Sequence, residues 1–168
     1  MHEEAAQWVQ MWCQNRHFDD VLEIGSRDVN GSVRGLFPNS TYYGIDIVEG
    51  PGVDEVADAK DYKPTAQFYD LVLCLEVFEH DAHWNLIMST IWRAVSENGM
   101  AIITCATYPR PSHSAVDGNQ LRENEYYSNV DSYDMAASLV MYFNSWTMRK
   151  LPRGDLQVVA ESPVRRMP

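Results

Sequence analysis

The sequence predicts an α/β fold built on a mostly parallel β-sheet, and three observations favour this class. Short apolar runs suited to buried strands alternate along the chain with segments of helical periodicity. The first apolar run, residues 21–24, ends in Gly25, as is typical of a strand that leads into a ligand-binding turn. The last two runs flank Pro152-Arg153-Gly154-Asp155, which predicts a hairpin. We therefore expect a Rossmann-like, mostly parallel seven-stranded sheet with a C-terminal antiparallel hairpin.

Length, composition and charge bound the rest of the interpretation. The chain has 168 residues, 45% of them hydrophobic and 22% charged, so we assign residues 1–168 to a single globular domain. No apolar run is long enough to cross a bilayer, and Met1-His2-Glu3-Glu4 lacks the pattern of a signal peptide, so a cytoplasmic location is expected. The net charge of −11 disfavours nonspecific binding to nucleic acid and to anionic membranes.

The clustered cations and the cysteines predict no special site. The cations lie near the C-terminus and favour a solvated chain end: Arg149, Lys150, Arg153, Arg165 and Arg166. The three cysteines, Cys13, Cys74 and Cys105, form no C-x-x-C pair, so neither a zinc site nor a disulfide framework is expected, and no metal site is predicted. Cys74 and Cys105 lie inside apolar strand patterns, which predicts small buried side chains.

The amino-terminal half alternates helices and strands with short connections. The predicted elements are a helix at 3–15 within an N-terminal segment 1–18, a strand at 21–24, a short helix at 32–37, and strands at 41–47 and 54–57. The first helix should pack against the sheet, because four apolar side chains recur at helical spacing: Trp8, Val9, Trp12 and Cys13. No helix fits between the second and third strands, so that crossover is abbreviated.

The carboxy-terminal half contains the clearest strand and one long loop. The predicted elements are strands at 68–75 and 100–106, helices at 84–95 and 134–143, and strands at 146–151 and 156–161. Gly99 is expected to cap the helix that begins at Trp84. The polar loop 107–132 is long for a compact domain, which favours a functional loop, and its tyrosines predict that it is ordered: Tyr108, Tyr126 and Tyr127.

Four residues fall at or just past the carboxyl ends of the predicted parallel strands, where such sheets bind ligands: Gly25, Asp46, Asp58 and Glu76. Asp46 follows Gly25 by 21 positions, which is the place of a carboxylate that accepts hydrogen bonds from the two hydroxyls of a ribose. Asp58 ends the next strand and could accept a hydrogen bond from an adenine amino group. Each could instead be a turn or cap aspartate, and the ligand role is favoured because the residues occur together.

At this point the chain resembles the class I S-adenosylmethionine-dependent methyltransferases. Four segments carry the resemblance, in order: Val21-Leu22-Glu23-Ile24-Gly25, Tyr43-Gly44-Ile45-Asp46, Val56-Ala57-Asp58-Ala59, and Tyr69-Asp70-Leu71-Val72 through Glu76-Val77-Phe78-Glu79-His80. The last is similar to the fourth strand of the small-molecule branch of that family. The resemblance covers residues 19–106. It also implies that the seventh strand runs antiparallel between the fifth and the sixth.

The resemblance implies S-adenosylmethionine as the cofactor and assigns roles by position. Glu23 and Gly25 would line the methionine end of the cofactor, Asp46 would hold the ribose, and Asp58 the adenine amino group. Leu75 and Glu76 would sit beside the transferred methyl group. The full expected cofactor-binding set is Glu23, Gly25, Ser26, Arg27, Asn30, Asp46, Ile47, Asp58, Ala59, Leu75 and Glu76.

The first loop departs from the family pattern E-x-G-x-G-x-G. Arg27 replaces a glycine that normally lets the cofactor pack on the backbone, and Asp28 or Asn30 would compensate. Transfer to oxygen or nitrogen can need a base, and His80 and His113 are the candidate catalytic residues. His80 could equally be a structural histidine. His113 lies in the long loop, where this family often places acceptor-binding residues.

Three functions therefore stay open, in order of preference. The first is methyl transfer to an unidentified, small-molecule acceptor. The second is cofactor binding without catalysis, which Arg27 would favour. The third is a nicotinamide-dependent oxidoreductase, disfavoured by the missing second glycine and the terminal hairpin. DNA methylation is disfavoured, because Glu76-Val77-Phe78-Glu79 stands where amino-methylating DNA enzymes carry Asp/Asn-Pro-Pro-Tyr/Phe. The few helices before the sheet predict an open pocket, which a homodimer could close.

Overall fold

A computed structural model of the chain describes residues 3–64 and 68–164. Its helices and strands are α1 (Glu3–Cys13), β1 (Asp20–Ile24), β2 (Thr41–Asp46), β3 (Glu55–Val56), β4 (Tyr69–Leu75), α2 (Trp84–Ala94), β5 (Val95–Ala106), α3 (Ser132–Tyr142), β6 (Phe143–Lys150) and β7 (Asp155–Pro163). Short 3₁₀ turns occur at Arg34–Leu36 and Phe78–His80. None of the described helices has the length and apolar character needed to span a membrane. Several residues used in the sequence predictions lie outside the described ranges: Met1, His2, Arg165 and Arg166.

The seven strands form one sheet in the order β3-β2-β1-β4-β5-β7-β6. The first five strands along the chain pair in parallel, while β7 runs antiparallel between β5 and β6. This confirms the predicted mostly parallel sheet and its antiparallel end. The chain runs outward from β1 to β3 and then crosses back to β4, so the strand order reverses between β1 and β4. Ligands of open α/β sheets bind at such a reversal, outside the carboxyl ends of the strands.

Two hydrophobic cores cover the two faces of the sheet, because side chains alternate along each strand. On one face α1 packs through Trp8 and Val9 against Val21, Leu71 and Leu73. The indole Nε1 of Trp8 donates to the Val158 carbonyl at 3.3 Å, which ties α1 to β7. The predicted packing of α1 is therefore confirmed.

On the other face α2 and α3 pack over the sheet. The buried residues of this core include Ile87, Met88 and Ile91 of α2, together with Met135 and Leu139 of α3. Cys74 and Cys105 are fully buried within it, which confirms their predicted role as small apolar side chains. This core extends to the 3₁₀ turn after β4 through Phe78, whose ring stacks on Trp84 with centroids 5.3 Å apart.

The predicted helix at 32–37 is wrong, since only a 3₁₀ turn of three residues forms there. The segment contains Gly35 and is followed by Pro38, so a longer helix would pay a nucleation cost that it is too short to recover. The described residues between β2 and β3, and those between β3 and β4, also contain no helix. The abbreviated crossover is thus confirmed, and the carboxyl ends of β1 to β3 are bordered by loops.

The predicted helix cap at Gly99 is wrong as well. Helix α2 ends at Ala94, and Gly99 lies inside β5, opposite an irregularity of β4 between Tyr69 and Leu71. A Cβ atom at Gly99 would stand 2.9 Å from the Tyr69 carbonyl oxygen. The glycine therefore serves the close approach of two strands.

The described cations near the C-terminus pack on α1. The Arg149 guanidinium lies 4.1 Å from the centroid of the Trp8 ring, and Arg153 pairs with Glu4 at 3.3 Å. Arg149 and Arg153 both lie at the protein surface, and the Arg153 side chain is largely exposed. This part of the chain is therefore solvated, as predicted. Arg149 and Arg153 therefore each contact a side chain of α1.

Candidate functional site

Gly25 forms the sharp turn at the end of β1. Its φ of +76° lies in the left-handed region, and a Cβ atom there would stand 2.3 Å from Cγ2 of Val77. Both the backbone conformation and the space therefore require glycine. The amides of Gly25 and Ser26 donate to the Ile45 carbonyl at 2.9 and 3.1 Å, which fixes this turn against the end of β2.

Asp46 ends β2 directly beside that turn. One carboxylate oxygen accepts from the Arg27 amide at 3.2 Å and the other from the Val48 amide at 2.9 Å. The side chain is half-buried. A carboxylate oxygen has two lone-pair directions, so each oxygen can accept one further hydrogen bond from a ligand hydroxyl.

Glu23 lies beneath the turn and is 5% exposed. Its carboxylate accepts a hydrogen bond from the Tyr42 hydroxyl at 2.7 Å. Burial raises the pKa of Glu23 to about 7, although the Tyr42 hydrogen bond and the charge of Arg34 act in the opposite direction. The side chain is therefore a nearly fully buried acid two residues before the turn at Gly25.

A side-chain clamp that the sequence did not reveal supports the first loop. Arg34 donates to the Tyr42 carbonyl at 2.9 Å and the Gly52 carbonyl at 3.3 Å, and it pairs with Asp54. Asp54 also accepts from the Gly44 amide at 2.7 Å. These bonds join the 3₁₀ turn, β2 and the segment before β3. No local motif marks Arg34, because its partners come from separate parts of the chain.

Arg27 does not stand alone in the loop. Its side-chain carbons lie so close to Gly50 that a Cβ atom there would be 2.9 Å from Cγ of the arginine. The arginine stem therefore runs against the turn that follows β2. Asp28 closes its own loop by accepting from the Gly31 amide at 2.8 Å. The Asp28 side chain therefore stabilises the conformation of its own loop.

Asp58 follows β3 and is paired with Lys60. The Lys60 ammonium bonds one carboxylate oxygen, and its amide donates to the other at 3.1 Å. Although burial alone would raise the pKa of the Asp58 carboxyl, the hydrogen bonds from Lys60 hold it below its usual value. A groove of about 650 Å³ on the sheet face includes Asp58 but neither Gly25 nor Asp46, so it is separate from the turn after β1.

The remaining predicted cofactor-side residues differ in exposure. Ser26, Ala59 and Leu75 are buried, whereas Ile47 is 67% exposed immediately after Asp46. The Ser26 hydroxyl has no hydrogen-bond partner among the described residues. Asn30 lies on the exposed loop after β1. Its side-chain Nδ2 is 3.9 Å from the position that a Cβ atom of Gly118 would take. The first loop and the long loop therefore meet across this edge.

Glu76 follows β4 in a left-handed conformation, with a φ of 58°. Its amide donates to the Thr104 carbonyl of β5 at 2.8 Å, which holds the residue at the end of the strand pair. A non-glycine residue in this region is uncommon and stores strain, as is often found at functional sites. The 3₁₀ turn Phe78–His80 starts two residues later.

The long loop is ordered by hydrogen bonds, as predicted, and it is anchored at both ends. The Ser128 amide donates to the Glu79 carbonyl, and the Val130 amide to the Ala106 carbonyl, each at 2.8 Å. Arg110 forms an ion pair with Asp155 of β7. Ser114 and Glu125 are joined at 2.8 Å inside the loop. The loop is therefore held in one position beside the end of β4.

The long loop brings the two predicted catalytic histidines together. The rings of His80 and His113 are T-shaped with centroids 5.1 Å apart, and Tyr127 packs against both, at 5.5 and 4.9 Å. Burial, together with the charge of His113, lowers the pKa of His80 to about 4, so its ring is neutral at physiological pH. A neutral imidazole can accept a proton or bind a cation. Sequence reasoning missed Glu79 as a member of this group.

By sequence, the chain matches no protein-family model and no curated protein. Its structure is similar to the N-methyltransferase NodS of Bradyrhizobium japonicum WM9 in complex with S-adenosylhomocysteine, with a TM-score of 0.68 and 13% identity over 96% of this chain and 87% of that chain. It is also similar to the 1,6-didemethyltoxoflavin-N1-methyltransferase of Burkholderia thailandensis, with a TM-score of 0.71 and 15% identity over 95% and 77%. The chain has the class I methyltransferase fold.

A third similar structure is the plantazolicin methyltransferase BpumL in complex with S-adenosylhomocysteine, with a TM-score of 0.67 and 11% identity over 95% of this chain and 81% of that chain. The methyltransferase fold predicted from four short segments is therefore confirmed over nearly the whole chain. At such low identities the similarity concerns the arrangement of the strands and helices. What the site binds has to be argued from its own residues.

Proposed function

We propose that the chain transfers a methyl group from S-adenosylmethionine to a small-molecule acceptor. The observation that carries the proposal is the position of two residues next to the strand-order reversal. Gly25 and Asp46 both lie at the carboxyl ends of the adjacent parallel strands β1 and β2. A glycine turn and a strand-end carboxylate are what a nucleoside ligand needs there, since the first permits close approach and the second binds the ribose. The similar structures that contain S-adenosylhomocysteine support this cofactor.

The residues present fit the cofactor chemically. Asp46 retains a lone pair on each oxygen for the ribose hydroxyls, because each oxygen accepts only one backbone hydrogen bond. The exposed Ile47 supplies apolar surface for the adenine ring. Asp58 is the proposed acceptor for the adenine amino group. Glu23, Gly25 and the first loop would take the methionine end.

When bound, S-adenosylmethionine supplies a methyl group on a positively charged sulfur. A lone pair of the acceptor forms a bond to the methyl carbon, and the carbon–sulfur bond breaks to release S-adenosylhomocysteine. The protein's own task is to position the acceptor and exclude water. The anchored long loop provides a fixed wall for that purpose. His80 and His113 are the groups at this end of the site that could accept the proton lost by a hydroxyl or amino acceptor.

A small acceptor is favoured over a nucleic acid by the net charge of −11. The acceptors named for similar proteins, such as 1,6-didemethyltoxoflavin, also support a small molecule. The single domain, the cytoplasmic location and a homodimer that closes the pocket remain part of this proposal. Cofactor binding without catalysis is the second candidate, and Arg27 in the first loop is the feature that favours it.

The proposal is tested by titrating the protein with S-adenosylhomocysteine in a calorimeter. We expect binding in the micromolar range, and Asp46→Ala should weaken it at least about tenfold, the loss of one or two hydrogen bonds to a charged group. Asp134→Asn, an exposed aspartate of α3, is the matched control and should bind as the unaltered protein does.

Four results would count against the proposal or refine it. Absence of binding by the unaltered protein would overturn it, and a response to reduced nicotinamide nucleotide alone would favour the oxidoreductase. Binding that Asp46→Ala leaves unchanged would show that the cofactor lies elsewhere. Binding without methyl transfer to any acceptor class, followed with radiolabelled S-adenosylmethionine, would favour the non-catalytic alternative.

A further inference from the structure

Three metal-ligating side chains meet where the long loop covers the end of β4. Glu79 and His80 belong to the 3₁₀ turn after β4, and His113 comes from the loop. One ligand atom from each residue lies within 4.8 Å of the other two. We refer to these three residues as the Glu-His-His cluster. No sequence pattern indicated it, since the metal prediction rested on cysteine spacing.

The cluster contains polar atoms that are buried and lack partners. Glu79 is 0% exposed, and neither of its carboxylate oxygens accepts a well-formed hydrogen bond from the described residues. The Nδ1 atom of His80 is likewise buried without a partner there. Buried carboxylates are normally paired with a cation or hydrogen-bonded, because an isolated one is costly. Arg110, the cation that acts on Glu79, is itself paired with Asp155.

The imidazole rings are held in an arrangement suited to ligation. Nδ1 of His113 lies 3.2 Å from the Pro111 carbonyl oxygen, which can only accept, so Nδ1 carries the hydrogen and Nε2 the lone pair. The backbone of Tyr126 hydrogen-bonds the His80 ring, and Nδ1 of that ring has no partner. Backbone bonds of this kind orient the histidine ligands of metal ions. Tyr127 packs against both rings and limits their rotation.

We propose that Glu79, His80 and His113 bind a divalent transition-metal ion, with Zn²⁺ as the best match. One carboxylate and two imidazoles form a ligand set that this class of ion prefers, and it leaves further coordination positions open. Mg²⁺ matches less well, because it favours all-oxygen surroundings. The ligand atoms of a tetrahedral zinc site lie roughly 3.3 Å apart, so a small turn of the side chains completes the geometry.

The acceptor would bind to the open coordination positions of the metal ion, so it would be a molecule with an oxygen ligand, such as a hydroxyl group. This conclusion about the acceptor rests on the proposed function. Metal binding itself does not, because the cluster uses none of the residues assigned to the cofactor. A bound metal ion would occupy the imidazole lone pairs, so His80 and His113 would then act as ligands and not as the proton acceptor of the transfer. The two proposals can therefore fail separately.

The test is a titration of the full-length, metal-stripped protein with ZnCl₂ against a competing chelator. We expect one Zn²⁺ per chain, and Glu79→Gln, His80→Asn and His113→Asn should each weaken binding at least about tenfold. His83→Asn is the matched control: it removes an exposed histidine of the same segment, paired with Asp81, and should leave the affinity within about threefold. Co²⁺ gives a second readout, through visible absorption bands that His113→Asn should change.

Stoichiometric binding lost in the three cluster variants would support the proposal. Absence of 1:1 binding, or unchanged binding in His113→Asn, would overturn it. Circular dichroism checks that each variant folds; should Glu79→Gln unfold, His113→Asn keeps the test decisive, because that side chain is only half-buried. Zn²⁺ binding retained in Asp46→Ala, with S-adenosylhomocysteine binding lost, would show that the two sites are distinct.

Discussion

The two sides of the carboxyl edge satisfy their acidic groups in different ways. On the proposed cofactor side, which the ends of β1, β2 and β3 form, Glu23 accepts from Tyr42, Asp46 from two backbone amides, and Asp58 from Lys60. On the acceptor side, Glu79 is buried with no such donor among the described residues. The acids of the first side are therefore engaged by the protein itself. Glu79 on the second side is a buried acid whose carboxyl oxygens lack partners among the described residues, and burial raises the pKa of that carboxyl.

The difference follows from how each side is built. The cofactor side consists of strand ends and short turns, whose backbone amides supply donors close by. The acceptor side is closed by a loop that places the rings of His113 and Tyr127 against His80, the neighbour of Glu79 in the 3₁₀ turn. The comparison teaches that the protein itself engages the acids of the first side, while on the second side it buries an acid without a well-formed hydrogen bond.

Gly25→Ala should produce the largest effect and would break the preformed turn. The positive φ costs about 1–3 kcal/mol in a non-glycine residue. The added methyl group would also meet Val77, a β-branched side chain with little freedom to move, which adds about 1–3 kcal/mol. Urea unfolding measures the sum as a loss of stability, and S-adenosylhomocysteine affinity should fall with it.

The double variant Gly25→Ala/Val77→Ala separates the two contributions. It should recover the part due to overlap when compared with Val77→Ala alone. If Gly25→Ala were as stable as the unaltered protein, the turn would be more adaptable than the cofactor side is argued to be.

Glu23→Gln tests whether burial of the Glu23 carboxyl makes the stability of the fold depend on pH. The carboxyl has a pKa of about 7 in the folded chain against an ordinary 4.5, so the folded state binds more protons between these values. Stability therefore falls as pH rises from about 4.5 to 7 and levels off above. Glutamine does not titrate, so the stability lost between pH 5 and pH 8 should shrink by about 2–3 kcal/mol in the variant.

Urea unfolding at several pH values measures this effect, with Glu97→Gln, an exposed glutamate of β5, as the control. The control profile should match that of the unaltered protein. Parallel profiles for Glu23→Gln and the unaltered protein would show that Glu23 is not the enclosed acid described above.

Much of the fold could be predicted because it depends on local patterns. Apolar runs marked the strands, and the Pro152-Arg153-Gly154-Asp155 turn marked the hairpin that places β7 between β5 and β6. The positions of Gly25 and Asp46 could also be predicted, since Gly25 follows the apolar run of β1 and Asp46 lies at the end of β2. The short helix at 32–37 could not be excluded from periodicity alone, because its failure depends on helix length and on Gly35.

The acceptor side could not be predicted from local patterns. Glu79 reads as a solvated acid in sequence, and its burial results from the loop that crosses it through the Ser128–Glu79 backbone bond. His113 lies in a loop without periodicity, so its approach to His80 depends on tertiary contacts. The Arg34 clamp was hidden for the same reason, because its partners Tyr42, Gly52 and Asp54 are distant in sequence.

Lys60→Met should have the smallest effect and sharpens the boundary of the cofactor side. The Lys60 ion pairs with Asp58 and Asp61 are partly exposed, and such pairs contribute little to stability. S-adenosylhomocysteine affinity should change by less than about threefold, because the Asp58 carboxylate keeps its lone pairs. Asp58→Asn, by contrast, replaces one acceptor oxygen by a donor and should weaken binding about tenfold. If Lys60→Met weakened binding more than Asp58→Asn, the ammonium rather than the carboxylate would contact the ligand. The preformed side of the site would then extend to Lys60, beyond Asp58 in the segment after the third strand.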